Sequence, residues 1–205
     1  MMSRFLPLIG VVLFLGIIGW RSWWQLRRYG DRGVRFLRSE RWQQQLRDAL
    51  AVVLVLFLAG QAVVAAAWPE SLASRYAIEP PSAGIWQVIG VVLLFGGVGL
   101  LVVAQLDLGA SWRIGIEEQA RPGLVTSGLY RFCRNPIFFA ILVLLTGYTL
   151  LLPTRLSLVL LVSIFVGIRL QILTEEVYLS TAYGDSYREY ARSVGRFLPG
   201  IGRLR

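Results

Sequence analysis

Histidine and lysine are absent from the chain, and cysteine occurs once, at Cys133. Without histidine there is no imidazole for general acid and base work or for metal ligation. A single cysteine excludes an intrachain disulfide and any multi-cysteine zinc or iron-sulfur site. Arg131 and Arg134 flank it and would favour its thiolate, yet an incidental cysteine is the simpler reading, and no chemistry is placed on it. Charge is scarce as well: 16% of the 205 residues are charged against 56% hydrophobic, and mean hydropathy is +0.60. That balance excludes an ordinary soluble domain and describes a polytopic membrane chain. All 21 basic residues are arginine against 12 acids, so the net charge of +9 persists at every accessible pH.

Five apolar stretches are long enough to be considered as spanning helices: Phe5 to Trp20, Leu50 to Trp68, Ile85 to Leu106, Pro136 to Leu152 and Leu156 to Leu173. The expected fold is therefore an all-α, polytopic membrane bundle of about five helices with a cytosolic C-terminal cap. The first stretch runs into Trp20, Arg21, Trp23 and Trp24 instead of a small-residue cleavage site, which reads as a retained anchor. Arginine placement sets the orientation. Arg21 to Asp48 holds eight arginines, whereas Pro69 to Gly84 and Pro153 to Arg155 hold one each, so the first and third loops and the C-terminus are expected in the cytosol. The expected setting is the cytoplasmic membrane of a bacterium. Trp20, Trp23, Trp24, Trp42 and Trp68 suit an aromatic belt. In the basic first loop, Leu37, Trp42 and Leu46 interleave with arginines, which fits anionic lipid headgroups beside two spans and not nucleic acid. No internal repeat or second soluble domain is present. The compositional shift at Asp107 divides residues 1–106, a three-helix anchor region, from residues 107–205, which carry the chemistry, within one structural unit.

The Asp107 to Asn135 loop is 29 residues long, and Pro122 and Gly123 suit a turn between two short extended runs containing Ile114, Ile116, Leu124 and Val125. It reads as an ordered cap. GGVGL, Gly96 to Leu100, reads as close helix packing within the bilayer and not as a nucleotide loop. Pro153 makes the fourth and fifth spans an antiparallel hairpin. In the fifth span Arg169 lies about 20 Å from the start, near the cytosolic boundary. Gln171 and Glu175 share one helical face and Arg169 and Glu176 another, so both signs of charge meet at one membrane boundary. Snorkelling of Arg169 to the headgroups competes with a buried role. Because glutamates at a helix C-terminus oppose the dipole, the helix is expected to continue to about Tyr183. Gly184 ends it, Asp185 caps a further helix with Tyr187, Tyr190 and Val194 on one stripe, and Arg188 and Arg192 form an exposed pair. Arg196, before Pro199, is free to turn back toward the bundle.

The order GLYRFCRNP, a helical hairpin and TEEVYLSTAYGDSYREYARSVGRFLP resembles the isoprenylcysteine carboxyl methyltransferase and phospholipid methyltransferase superfamily over roughly the last hundred residues. The residues matching that pattern are Gly128, Tyr130, Arg131, Arg134, Pro136, Glu175, Glu176, Gly184, Tyr187, Tyr190, Arg196 and Pro199. Asn135 stands where histidine is common, and Phe138 where tyrosine is common. The resemblance implies S-adenosylmethionine bound at the cytosolic side and a lipophilic small molecule or lipid, with a carboxylate or amine acceptor, arriving from the bilayer. It also implies a cofactor site of Tyr130, Arg131, Arg134, Asn135, Pro136, Glu175, Glu176, Tyr187 and Arg196, with Arg169, Arg134 and Glu176 as the catalytic candidates and no metal.

The chemistry suits these residue types. Methyl transfer from a sulfonium needs an aligned nucleophile and a dry site, but no histidine. Guanidinium grips carboxylate by paired hydrogen bonds, carboxylates suit amino or hydroxyl groups, and aromatic rings suit adenine or a sulfonium. Asparagine at position 135 still donates and accepts. Pro136 suits the first position of a helix whose free amides meet an anion. Two rivals come from other classes: an NADPH-dependent membrane reductase of the sterol reductase type, usually a longer chain, and a non-enzymatic membrane assembly factor, which leaves the glutamate pair without a purpose.

Overall fold

The computed structural model describes residues 2–34, 42–68, 70, 83–114 and 123–204. Leu37, Ile116 and Pro122, which figure in the expectations above, lie outside the described residues. Six α-helices are described: α1 (Leu6–Tyr29), α2 (Trp42–Ala67), α3 (Ala83–Leu108), α4 (Pro136–Leu151), α5 (Arg155–Tyr183) and α6 (Asp185–Ser193). Four of them, α1, α2, α3 and α5, are long and apolar enough to cross a membrane. α4 is also apolar but has 16 residues, about 24 Å of helix against the ~30 Å of a bilayer core. Among the described residues the molecule is a membrane helical bundle of four long helices and the shorter α4, with a small helix and tail packed at one end.

α1 is longer than the sequence suggests. Its apolar run ends at Trp20, but the helix continues to Tyr29 and carries Arg21 with it. Arg21 is therefore a helical, fully buried residue and not the start of a loop. The extension is possible because its guanidinium finds acceptors at the end of α3 and on its own helix, donating to the carbonyls of Gln105 and Gly109 and to Gln25 Oε1 at 2.6 Å. Gly30, with φ of 75°, ends the helix in the left-handed conformation, and Arg27 and Arg28 in the last turn favour the negative end of the helix dipole.

α3 and α4 form the tightest pair. A Cβ on Gly97 would stand 2.5 Å from the Leu144 backbone nitrogen, and one on Gly147 would overlap the backbone of Leu94. Small residues here let two backbones approach. Of the GGVGL glycines only Gly97 serves this purpose; Gly96 and Gly99 meet nothing, so the expectation of close packing holds for one glycine of the three. The core beside this pair contains Val11, Leu58, Ala62, Leu94, Leu144, Leu145, Tyr148 and Leu160, which draws α1, α2 and α5 onto it.

Contacts at the two ends establish the alternation of the helices. At one end Arg21 reaches α3, Gln44 donates to Gln171 of α5, and Arg47 donates to Thr174 at 2.6 Å. At the other, Gln61 near the end of α2 donates to Thr154 and Ser157 at the start of α5. Thr154 also caps α5, accepting from the Ser157 amide at 3.0 Å. Trp20, Trp23, Trp42 and Trp68 are exposed, as a belt requires, whereas Trp24 stacks on Trp20 and flanks Arg21. The extended runs expected beside Gly123 form no ladder among the described residues; only single bridges join Val34 to Ile114 and Cys133 to Gly195.

α5 continues without a break to Tyr183, ten residues beyond its apolar run. Gly184, with φ of 56°, turns the chain into α6. Asp185 does not cap that helix: it lies inside it and pairs with Arg188 at 3.0 Å, one turn on. Tyr187, Tyr190 and Ala191 bury one side of α6, with Leu124, Leu179, Tyr183 and Val194 packed around them.

Candidate functional site

The residues after α6 turn back on the bundle. Gly195 sits where a Cβ would overlap the carbonyl of Leu198, so glycine is required there. The segment runs parallel to Cys133, and the Arg134 amide donates to the Gly195 carbonyl at 2.9 Å. The Arg196 carbonyl collects three donors: the Asn135 amide, the Asn135 side chain at 3.1 Å and the Cys133 thiol at 3.3 Å. Asparagine thus does a local job here, fastening the loop to the tail. Burial raises the Cys133 thiol pKa, so the sulfur stays protonated and donates.

This register brings Arg134 and Arg196 onto Glu176 of α5. Arg196 grips the carboxylate with both arms, Nε to Oε1 at 2.9 Å and a terminal nitrogen to Oε2 at 2.7 Å. Arg134 approaches Oε1 at 3.2 Å, and its side chain is only 2% exposed. The same guanidinium donates to the Gly202 carbonyl at 2.7 Å and toward the Tyr187 hydroxyl at 3.4 Å. Its Nε is buried with no hydrogen-bond partner. Paired, charge-assisted bonds of this kind offset the cost of burying the carboxylate. The Arg196 side chain gains protonated character from Glu176, which raises its pKa.

Three tyrosines surround the clasp. Tyr190 donates its hydroxyl to the Tyr130 carbonyl at 2.6 Å, and Tyr187 and Tyr190 meet edge to face. Burial, and after it the carboxylate of Glu176, pushes the Tyr187 phenol up to about 12. Burial raises Tyr130 and Tyr190 still further. All three phenols stay protonated at physiological pH.

Of the sequence-predicted residues, Arg134, Glu176, Arg196, Tyr187 and Asn135 come together, with Tyr130 buried beside them and Pro136 opening α4 at its first position. Three do not join the clasp. Arg131 is exposed and lies over the Phe132 ring at 4.9 Å. Glu175 faces another side of α5 and accepts from Gln171 at 2.9 Å. Arg169 is half-buried and makes no ion pair with the cluster, because it stands two helical turns before Glu176. Sequence reasoning did not find Asp107, whose carboxylate accepts the Leu129 amide at 2.8 Å, or Gly202, whose carbonyl meets Arg134. The compositional break at Asp107 was the available signal for the first; nothing in the sequence marks the second.

An apolar groove lined by Val53, Leu56, Phe57, Gly60, Gln61, Val64 and Leu156 lies elsewhere. Leu156 and Glu176 are twenty residues apart on one helix, about 30 Å. The groove is therefore remote from the clasp.

The phospholipid methyltransferase family model matches residues 85–186, which run from the start of α3 into α6. Among curated proteins, the chain is 29% identical over 122 residues to a protein-S-isoprenylcysteine O-methyltransferase of Dictyostelium discoideum, covering 57% of this chain and 50% of that protein. It is 30% identical over 115 residues to protein-S-isoprenylcysteine O-methyltransferase A of Arabidopsis thaliana, covering 55% and 58%. The chain thus spans between half and three fifths of the length of these relatives. Its fold is similar to that of the eukaryotic intramembrane Ras methyltransferase, isoprenylcysteine carboxyl methyltransferase, with a TM-score of 0.53 over 78% of this chain and 68% of that one, at 18% identity. With the matched region enclosing the loop, the hairpin and the glutamate of the clasp, this chain belongs to the isoprenylcysteine carboxyl methyltransferase and phospholipid methyltransferase superfamily.

Proposed function

We propose that the protein is an S-adenosylmethionine-dependent methyltransferase acting on a lipophilic small molecule or lipid that enters from the bilayer, with the cofactor on the cytosolic side. The observation that carries the reading is the buried Arg134, tied to Glu176 yet with an Nε that has no partner. An unpaired buried guanidinium nitrogen is costly unless an acceptor meets it. The carboxylate of the cofactor's methionine portion is an acceptor of the right kind, so the residues present fit the group.

When bound, S-adenosylmethionine supplies an electrophilic methyl group on a sulfonium. Arg134 would hold the cofactor's carboxylate. Glu176 and Arg196 hold Arg134 in place, because both carboxylate oxygens are already taken by guanidinium groups. The neutral phenols of Tyr187 and Tyr190 and the apolar surroundings of α6 keep water from the region. Arg169 and Glu175, which make no bond to the clasp residues, remain candidates for orienting the acceptor group. The arginine-rich segment between α1 and α2 suits the anionic headgroups of the cytosolic leaflet.

The test is thermal stabilisation of the detergent-solubilised protein by S-adenosylmethionine against NADPH, together with binding of labelled cofactor to wild type and Glu176→Gln. Stabilisation by S-adenosylmethionine and its loss in Glu176→Gln are expected. Stabilisation by NADPH alone overturns the reading.

A further inference from the structure

We propose that Asp107 is a positioning residue for the loop that carries Arg134, and that Arg21 of α1 fixes where Asp107 stands. The inference rests on the methyltransferase reading and assigns a role to two residues outside the superfamily motif.

Asp107 is the penultimate residue of α3. Its Oδ2 accepts the Leu129 amide at 2.8 Å, at the start of the 3-10 turn Gly128–Arg131. Ser127, which precedes that turn, makes no side-chain capping bond, so the aspartate supplies the acceptor the turn otherwise lacks. A carboxylate meeting an amide at the start of a helical turn is a charge-assisted bond with favourable dipole direction. Gly128 has φ of 58°, and a Cβ there would overlap the Asp107 carboxylate. Both facts require glycine, and the second ties its place to Asp107.

From this turn the chain is fastened again at several points before α4. Tyr130 accepts from Tyr190, and Arg134 and Asn135 bond to the Gly195 and Arg196 carbonyls. The loop is thus held at its start by Asp107 and at its end by the tail, with the clasp arginine between two fixed points.

Arg21 supplies the other half. It donates to the carbonyls of Gln105 and Gly109, two residues on each side of Asp107, at 3.3 and 2.5 Å. Gln25 joins in, accepting from Arg21 and donating to the Ala110 carbonyl at 3.0 Å. The guanidinium lies 4.8 Å from the Trp24 ring and 4.9 Å from the Trp112 ring. A buried cation at the carbonyl end of α3 is favoured by the dipole and satisfies carbonyls that the helix leaves free. It therefore keeps the last turn of α3, and Asp107 on it, in one place.

The test compares Asp107→Ala, Asp107→Asn and Arg21→Lys in full-length protein in detergent, reading the Kd of labelled S-adenosylmethionine beside the thermal midpoint. Asp107→Ala is expected to weaken cofactor binding about tenfold while the protein stays folded. Asp107→Asn recovers most of the affinity, because its amide oxygen still accepts from Leu129, and Arg21→Lys, which lacks the guanidinium fork, follows Asp107→Ala. Wild-type affinity in Asp107→Ala overturns the inference, as does failure of Asp107→Asn to recover. If Asp107→Ala does not fold, Asp107→Glu decides. Its longer side chain displaces Gly128, so weaker binding is expected, and unchanged affinity overturns the inference. Absence of S-adenosylmethionine binding in wild type instead overturns the methyltransferase reading and this inference with it.

Discussion

At the scale of single residues, Glu176 concentrates the risk. One carboxylate, 11% exposed, answers two arginines, so its loss leaves two guanidinium groups facing each other with little water between them. Removing one partner of a buried pair costs about 3–5 kcal/mol. Glu176→Gln is therefore expected to lose stability at the low end of that range, since Arg196 is partly exposed and the amide still accepts a bond. Its thermal midpoint in detergent, with and without cofactor, measures this. The tyrosines impose a pH limit. An unfolded phenol ionises near ~10, whereas the folded Tyr187 holds its proton to about 12. Its contribution is fully present below the unfolded value and is lost as pH rises through the folded one. Tyr130 and Tyr190 shift in the same direction. The thermal midpoint should decline gently from about pH 8.5, where an unfolded thiol ionises and the buried Cys133 does not, and then fall steeply above about pH 10; no steeper fall above about pH 10 removes the tyrosines from the stability argument.

At the scale of elements, the α3 and α4 pair decides whether the loop before α4 is held at all. Its closest approach is at Gly97 and Gly147, where any side chain meets backbone and not a movable side chain. Overpacking typically costs about 1–3 kcal/mol. Gly147→Ala should cost at least that much, while Gly99→Ala, which faces open space, should be nearly neutral. Thermal unfolding of the two variants side by side checks the assignment, and equal effects would refute it. The periodicity of α3 conveys none of this, because a helix apolar on all sides does not reveal which glycine faces its neighbour. The length of α1 was hidden for a related reason: Arg21 and Trp23 read as a boundary, but a buried arginine is tolerated wherever free carbonyls meet it.

At the scale of the whole molecule, the helices alternate so that the ends of α1, α3 and α5 and the starts of α2 and α4 share one level. The clasp stands at that arginine-rich level, and the orientation proposed above puts that level in the cytosol. Arg28 and Trp68 are both exposed and lie near opposite ends of the bundle. Arg28→Cys is expected to react with a thiol reagent only after the membrane is permeabilised, and Trp68→Cys without that treatment. Labelling of both from one side refutes the arrangement. Cys133 gives little background, since it is buried and donates to the Arg196 carbonyl.

The sequence by itself determined the membrane class, the approximate number of apolar helices and the motif residues of the superfamily. These depend on composition, on the length of apolar runs and on spacing along one chain, all of which are local quantities. It also placed Arg196 within reach of the bundle, because a helix that ends at Gly195 leaves the tail free to return. Only the tertiary structure decided which of the charged residues meet. Glu175 and Glu176 are neighbours in sequence, yet successive residues of a helix point about a hundred degrees apart. One therefore meets Gln171 and the other two arginines. Arg131 and Arg134 divide in the same way, one over an exposed ring and the other inside the clasp. The clasp partners are distant along the chain, with 20 residues between Arg196 and Glu176 in numbering and 42 between Arg134 and Glu176, and no local pattern encodes a contact whose other half is set by the packing of the bundle.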